Sequence, residues 1–335
     1  MQVIELITDI NNGDYLSQRY QQKIDASKDK TYSFYEFIKE ELVNYENRIK
    51  DLDEKELTEI LRNSGSFIGN PTKDRLLNLM KRIDKYVMDL LEHCYRGDLL
   101  NAMLTLIKLL SYKDKKIKRY LNEEYINNFK FELKEEKTYY RVRDFKDDDN
   151  IDNCYHIPFH IRGYANNGRY SISGFPCLYL ADNLEAACKE VGEKAEDTTR
   201  YYSEYKIKDK EILNLLDLSL KDEKEIEGMN QYELFCELIT FPLKLTCIIK
   251  TKYNNCTNHE EYFIPQLISH CLLYGHTEQV FTNYQGIKYT STKDYKSACI
   301  AIPARFNPKE EIKFTGYCEN ILSKFDIKEP KEKDK

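Results

Sequence analysis

Apolar positions in the first part of the chain recur every three or four residues. The longest such run lies in RLLNLMKRIDKYVMDLLEHCY and comprises Leu76, Leu79, Ile83, Val87 and Leu90. That spacing gathers the apolar side chains on one side of an α-helix and leaves the charged ones on the other. Gly97 and Asp98 then supply a helix end and a helix start before a second apolar run. We predict an all-α domain over residues 1–130.

After about residue 131 the pattern changes to short alternating or wholly apolar runs. The segments KTYYRVRDF, PCLYLAD, GIKYTST and KSACIAIPA have the composition of strands, whereas NLEAACKEVGEKA has helical spacing. Strands mixed with helices, without a regular strand–helix–strand repeat, are typical of α+β folds. We predict an α+β domain over residues 131–326, preceded by the all-α domain. The charged residues 327–335 are predicted to be a flexible tail.

Composition and charge narrow the classes of function. The 335 residues include 51 basic and 57 acidic ones, a balance that lacks the basic surface of a nucleic-acid-binding protein. No apolar run reaches the ~18 residues of a membrane span, and the N-terminus has no basic signal-peptide region. The ten cysteines form no CxxC pair, and Pro158 between His156 and His160 disfavours a helical pair of metal ligands. We expect a cytoplasmic protein that contacts neither nucleic acid nor membrane and holds no metal.

The corner RYSISGFPCLYLADNLEAACKEVG carries residue types that are typical of a binding or catalytic site. Arg169 lies in a turn, Tyr179 in a strand and Glu190 in the following helix. The neighbours of Glu190 are small and apolar, and a carboxylate in such surroundings needs a partner or a function. Upstream, Arg141 and Arg143 are two residues apart in a strand and therefore share one face. Together they could bind a phosphate, and a solvent-facing position is the open alternative.

Several stretches of the second domain resemble the RES domain family, which is named for an arginine, a glutamate and a serine. The resemblance rests on YYRVRDF, on HIPFHIRGYANNGRYSISGFPCLYLADNLEAACKEV, on EYFIPQLI and on GIKYTST. It is closest over residues 137–192, weaker over 205–305, and absent over 1–130. It implies a fold related to ADP-ribosyltransferases. It also implies an NAD+ phosphorylase or NAD+ glycohydrolase, which breaks the nicotinamide–ribose bond of NAD+ with phosphate or with water.

The resemblance also implies a set of site residues. Arg141, Glu190 and Ser291 match the arginine, the glutamate and the serine and would be catalytic, with Ser171 and Ser173 as alternatives for the serine. Arg169 and Tyr179 match an arginine and a tyrosine of the family and would bind the substrate. Arg143, His156 and Tyr170 are further candidate substrate-binding residues of this sequence. In that scheme the glutamate stabilises positive charge on the ribose, and the arginines bind pyrophosphate or phosphate. The tyrosine of the strand would stack on the nicotinamide or the adenine.

The implied chemistry needs NAD+ as the substrate and no cofactor, with inorganic phosphate as a candidate co-substrate. An enzyme that destroys NAD+ inside a cell must be restrained. An antitoxin or another regulatory protein, and a second copy of the chain, are therefore candidate partners in a toxin–antitoxin or anti-phage setting. The all-α domain would serve regulation or interaction. Two other functions stay open here, namely transfer of ADP-ribose to a macromolecule and NAD+ sensing without turnover.

Overall fold

The chain is organised into two compact units. The computed structural model describes residues 1–28, 31–65, 70–111, 121, 124–134, 137–145, 155–193, 198–253, 259–274, 281, 283–305 and 318–333. The helical unit comprises Met1–Lys130 and Leu220–Ile268, and the sheet unit comprises Phe131–Ser219 and Ser269–Lys335. Helices and strands are both abundant, which confirms the predicted α+β class. Within the described ranges, no helix is both long enough and apolar enough to cross a bilayer.

Amphipathic helices build most of the helical unit. The α-helices among the described residues are α1 (Val3–Ile10), α2 (Gly13–Ala26), α3 (Phe34–Lys50), α4 (Glu54–Asn63), α5 (Lys73–Tyr95), α6 (Leu99–Ser111), α7 (Leu184–Val191), α8 (Glu223–Glu227), α9 (Gln231–Ile248), α10 (Phe263–Tyr274) and α11 (Glu319–Leu322). The predicted apolar stripe lies in α5, where Leu79 and Val87 are fully buried. Capping residues define where helices begin. At the start of α3, for example, the Ser33 side chain accepts a hydrogen bond from the amide of Glu36.

Helix α9 belongs to the helical unit although it lies far along the chain. Every residue from Leu234 to Ile248 is buried, and α1, α3, α4 and α5 all contact this helix. A helix whose sides are all buried must be covered on all sides, and these N-terminal helices provide cover. Its buried charges, Glu237 and Lys244, pair with each other at 2.7 Å. The structure therefore differs from the sequence-based division of the chain, in which residues 220–268 were part of a continuous second domain.

Two tyrosines complete the hydrogen bonding of α9 around its internal proline. Pro242 has no N–H group, so the carbonyl of Leu238 lacks its usual donor four residues on. The Tyr45 hydroxyl donates to that carbonyl at 2.7 Å, and the Tyr125 hydroxyl donates to the carbonyl of Ile239 at 2.7 Å. Because a buried carbonyl without a donor is costly, these contacts stabilise a helix that proline would otherwise weaken.

A single mixed sheet forms the second unit. Its strands are β1 (Lys130–Leu133), β2 (Thr138–Phe145), β3 (Cys177–Ala181), β4 (Thr199–Ile207), β5 (Leu213–Leu218), β6 (Gly286–Thr290), β7 (Ala298–Pro303), β8 (Phe325–Ile327) and β9 (Lys331–Glu332). The order across the sheet is β1-β5-β6-β7-β3-β2-β4-β8, and β9 also pairs with β4. Strands β5 and β6 are parallel, while β3 is antiparallel to both β2 and β7.

Strands β8 and β9, near the C-terminus, are part of this sheet. Tyr201 and Tyr202 of β4 pair with Glu332 and Lys331 of β9. The structure thus differs from the flexible tail predicted for residues 327–335. An outer strand offers unpaired backbone groups, and pairing with them requires no apolar side chain. The high charge of the tail therefore did not reveal that it would pair.

The two faces of the sheet have different roles. One face carries the apolar core of the unit, which includes Leu178 and Leu180 of β3 and Ile300 of β7. Side chains alternate along a strand, so Tyr179 lies on the opposite face, together with Tyr289 of β6, which is separated from β3 by β7. Helix α7 packs against β2 and β3. Among the described strands, β2 and β3 pair at one recorded position whereas β2 and β4 pair at eight, so the sheet opens between β2 and β3.

Candidate active site

The centre of the candidate site is a contact between Glu190 and Ser291. Helix α7 begins at Asn183, whose side chain accepts from the amide of Ala186 at 2.8 Å, and it carries Glu190 in its last turn. Ser291 directly follows β6 and is fully buried. The Ser291 hydroxyl donates a short hydrogen bond to Oε1 of Glu190. Gly192, with φ of +90°, ends the helix in a backbone conformation that favours glycine.

The hydroxyl of Ser291 has a defined orientation. It accepts from the backbone amides of Lys293 and Asp294, both at 3.1 Å. A hydroxyl has one proton, and with its lone pairs engaged by two amides that proton points to Glu190. Serine is well suited to this place because its side chain readily accepts from amides two or three residues on.

The loop that starts at Ser291 is attached to α7 along its whole length. Lys293 Nζ donates to the main-chain carbonyl of Glu190 at 2.7 Å, and Lys189 Nζ lies 3.0 Å from Asp294 Oδ2. At the other end of the loop, Asn183 donates to the hydroxyl of Ser297 at 3.1 Å. Helix and loop therefore hold the Glu190 carboxylate in one place relative to the sheet.

A tight turn places Arg169 beside this loop. Gly168 and Ser171 form a two-way backbone bridge, with N–O distances of 2.9 and 3.3 Å, and Arg169 and Tyr170 occupy the tip. Arg169 is only 7% exposed, and its guanidinium lies 3.5 Å from the hydroxyl oxygen of Thr292. A cationic side chain is thus held next to the loop residue that follows Ser291.

Aromatic residues line the same face of the sheet. The ring of Tyr170 packs on the ring of Tyr289 with centroids 4.7 Å apart, and the amide of Tyr170 donates to the Tyr179 hydroxyl at 3.1 Å. Burial raises the pKa of Tyr179 well above its usual value, so its hydroxyl stays protonated. Burial also raises the pKa of Tyr289, and Cys299 and Glu190 add smaller upward shifts.

Arg141 approaches from β2. Its guanidinium donates to the main-chain carbonyl of Tyr179 at 3.1 Å. Arg141 starts from the face of the sheet opposite to Tyr140, which shares its face with Tyr179. The structure thus ties Arg141 to the backbone of β3, where β2 and β3 separate. Arg143 lies over the ring of Phe145 on its own strand, 5.4 Å from the centroid.

His156 is in a position that does not fit its predicted contact with a substrate. The residue is fully buried, Nδ1 lies 2.8 Å from the carbonyl of Ile157, and Nε2 accepts from the amide of Cys318 at 2.8 Å. Burial lowers the pKa of His156 to about 4, so the ring is neutral and Nδ1 carries the proton. Both ring nitrogens form hydrogen bonds with backbone groups, and His156 is a structural residue of the core.

Comparison with known proteins identifies the family of the second part of the chain. Residues 138–313, which are more than half of the chain, match the family described as RES domain. The chain belongs to the RES domain family. Over 197 residues it is 29% identical to a protein of Bacillus subtilis (strain 168) named "Putative toxin YopC". That match covers 53% of this chain and 42% of the relative, so the chain spans less than half of the relative's length. No solved structure matches the chain.

Only some of the predicted site residues contact one another in the structure. Glu190, Ser291, Arg169, Tyr170 and Tyr179 are connected by the contacts described above, and all lie within residues 138–313. Of the alternative serines, Ser171 hydrogen-bonds the Tyr179 hydroxyl and its Oγ also donates to the carbonyl of Asn166. The amide of Ser173 donates to Asn167 Oδ1.

Loop residues that the sequence analysis did not single out complete the RES domain site. Thr292 contacts Arg169, Lys293 donates to the Glu190 carbonyl, and Asp294 donates to Ser291. A signal for them exists in the stretch STKD after the strand GIKYT, because serine, threonine and aspartate at a strand end favour a side-chain-braced turn. Within the described residues, no group of three His, Cys, Asp or Glu side chains is arranged to hold a metal ion.

Proposed function

We propose that this RES domain protein is a toxin-like enzyme that cleaves the nicotinamide–ribose bond of NAD+. The observation that carries the proposal is the carboxylate of Glu190, half-buried and oriented by the fully buried Ser291, with Arg169 beside the same loop. Family membership and the name of the Bacillus subtilis relative support it. NAD+ is the substrate, and the acceptor is inorganic phosphate or water.

The proposed role of Glu190 is to stabilise the cation that forms on the ribose. The bond between the ribose C1′ and the pyridinium nitrogen breaks, and both bonding electrons go to that nitrogen. Nicotinamide leaves as a neutral molecule, and the ribose becomes an oxocarbenium-like cation. Oε1 of Glu190 accepts from Ser291, and we assign Oε2 to the cationic centre or to a ribose hydroxyl. A fixed carboxylate is effective here because it needs no reorganisation when the charge develops.

The second half of the reaction adds the acceptor to C1′. With phosphate, one phosphate oxygen bonds to C1′ and the product is an ADP-ribose phosphate. With water, the oxygen bonds to C1′, a proton passes to Glu190 or to solvent, and the product is ADP-ribose. Arg169 and Arg141 supply guanidinium groups for the pyrophosphate of the substrate or for the incoming phosphate. This assignment rests on the buried position of Arg169 beside Thr292 and on the position of Arg141 at the opening between β2 and β3.

The test compares two glutamates of the same helix. Glu190→Gln keeps the size and hydrogen-bonding capacity of the side chain and removes its charge, so we expect release of nicotinamide to fall by at least 100-fold with the thermal midpoint little changed. Glu185→Gln is the matched control, because Glu185 is exposed on α7 and pairs with Lys189 at the surface. Turnover by Glu190→Gln at the wild-type rate would remove the carboxylate from the mechanism.

The reaction products show whether phosphate or water is the acceptor, and whether the protein is instead a transferase or a sensor. NAD+ labelled in the adenosine half is incubated with the full chain, with and without phosphate, and in cell lysate. A phosphorylase gives a labelled sugar phosphate only with phosphate, and a glycohydrolase gives ADP-ribose in both buffers. Label on macromolecules would instead indicate an ADP-ribosyltransferase, and binding without nicotinamide release would indicate a sensor. For the toxin role, we expect expression of the wild-type chain to deplete cellular NAD+ and stop growth, and expression of Glu190→Gln to do neither.

A further inference from the structure

The hydroxyl of Tyr179 touches the turn that carries Arg169. Tyr179 belongs to β3, and its hydroxyl accepts the amide of Tyr170 at the tip of the turn, at 3.1 Å. That amide is separate from the two backbone hydrogen bonds that close the turn between Gly168 and Ser171. The hydroxyl therefore adds an attachment between the turn and the central sheet.

Gly168 shows how closely the turn lies against this hydroxyl. A Cβ atom at position 168 would come within 2.9 Å of the Tyr179 hydroxyl oxygen and 2.7 Å of Ser171 Oγ. Real Cβ contacts are longer, so a side chain at this position would force Ser171 or Tyr179 to shift. The Tyr179 hydroxyl thus both fills the space beside Gly168 and binds the amide of Tyr170.

The hydrogen bond between Tyr179 and the turn restrains the backbone of Arg169. Its backbone lies between Gly168, which is close to the Tyr179 hydroxyl, and Tyr170, whose amide donates to that hydroxyl. Its guanidinium is almost completely buried and lies 3.5 Å from Thr292, next to Ser291. A buried guanidinium on a long side chain keeps one position only if its backbone is fixed.

We propose that Tyr179 is a positioning residue whose hydroxyl holds the Gly168–Ser171 turn and thereby fixes the guanidinium of Arg169 in the active site. This inference deepens the proposed function and rests on it for its catalytic meaning. It replaces the stacking role that the sequence suggested for Tyr179. The side chain acts through its hydroxyl and through Arg169.

The first test needs no substrate. The full chain is treated with phenylglyoxal, an arginine-specific reagent, and the rate of modification at each arginine is followed by peptide mass spectrometry. In Tyr179→Phe we expect the rate at Arg169 to rise about fivefold, the factor that corresponds to one lost hydrogen bond of ordinary strength. Arg200 is the internal control, since it is also nearly buried and its guanidinium pairs with Asp144 at 2.7 Å. Tyr139→Phe, another buried strand tyrosine of the same unit, controls for the loss of a hydroxyl.

Two results of that test would overturn the proposal. One is an unchanged rate at Arg169 in Tyr179→Phe. The other is an equal rise at Arg169 and Arg200, which would indicate general loosening of the unit. If Tyr179→Phe does not fold, Gly168→Ala serves instead, because its Cβ would push the turn away from the hydroxyl and produce the same selective rise.

The second test measures catalysis in a double-mutant cycle of Tyr179→Phe and Arg169→Met. If Tyr179 acts through Arg169, Tyr179→Phe lowers kcat/KM for NAD+ about fivefold in the wild-type background and less than twofold in the Arg169→Met background. Equal effects in both backgrounds would contradict the proposal. A wild-type chain that releases no nicotinamide would refute the proposed function, while the modification rates would still decide whether Tyr179 positions Arg169.

Discussion

Replacing Ser291 by alanine removes the group that orients the proposed catalytic carboxylate. The hydroxyl of Ser291 donates to Glu190 and accepts from two backbone amides at 3.1 Å, and all of these contacts are lost in Ser291→Ala. The β-carbon and the backbone of the loop remain. The variant therefore separates the orientation of Glu190 from the presence of its charge.

The loss of stability in Ser291→Ala can be estimated from the three hydrogen bonds of the Ser291 hydroxyl. A bond to a charged group contributes about 1.5–3 kcal/mol, and each neutral bond contributes about 1 kcal/mol. The two amides share one acceptor, and the exposed Lys293 indicates that water can reach part of the loop. We therefore expect Ser291→Ala to lower the free energy of unfolding by about 2–4 kcal/mol. A catalytic group displaced by about 1 Å loses on the order of 100-fold in rate, so we expect kcat for nicotinamide release to fall by about 10- to 100-fold.

Ser297→Ala is the matched control for this prediction. Ser297 lies in the same loop, is also buried, and its hydroxyl donates to Asp294 at 3.1 Å and accepts from Asn183 at 3.1 Å. We expect a loss of stability of about 1–3 kcal/mol and a loss of kcat smaller than in Ser291→Ala, because Ser297 acts on Glu190 only through the loop and Ser291 bonds it directly. Both variants are compared by urea unfolding and by nicotinamide release at saturating NAD+. Equal losses of kcat in the two variants, or a wild-type kcat in Ser291→Ala, would refute the orienting role.

Two further predictions concern stability away from the carboxylate. Tyr45→Phe leaves the carbonyl of Leu238 without a donor in the buried helix α9, so urea unfolding should show a loss of about 1–3 kcal/mol, and no loss would mean that water or another group replaces the tyrosine. Burial lowers the pKa of His156 from 6.5 to about 4, so the unfolded chain binds a proton more readily than the folded one between these values. Stability should therefore fall as the pH drops from about 6.5 to about 4, and this part of the pH dependence should be absent in His156→Gln.

Local features of the fold followed well from the sequence, because they depend on neighbours in the chain. The stripe that contains Leu79 and Val87 gave helix α5, and the alternating run around Arg141 gave strand β2. The packing of residues 220–268 with the N-terminal helices could not be predicted, for a different reason. An apolar helix such as α9 shows that it is buried, but its sequence does not show which helices cover it. That information lies in contacts distant along the chain, such as Tyr45 with Leu238.

Part of the candidate site could be predicted from the sequence, namely where a charged residue lies among apolar neighbours. Glu190 stood out because a carboxylate among small apolar residues needs a partner, and the structure supplies one in Ser291. The role of His156 could not be foreseen, because a buried histidine that serves two backbone groups and a histidine that binds a ligand look alike in a sequence. The contact between Tyr179 and the turn at Gly168 depends on how β3 and that turn meet in space.

The most direct test of the central claim is the time course of free nicotinamide, followed by proton NMR, when the purified full chain is mixed with NAD+. We expect that nicotinamide appears in step with the loss of NAD+, that Glu185→Gln behaves like wild type, and that Glu190→Gln releases nicotinamide at least 100-fold more slowly. Loss of NAD+ without free nicotinamide, or release by Glu190→Gln at the wild-type rate, would contradict that claim.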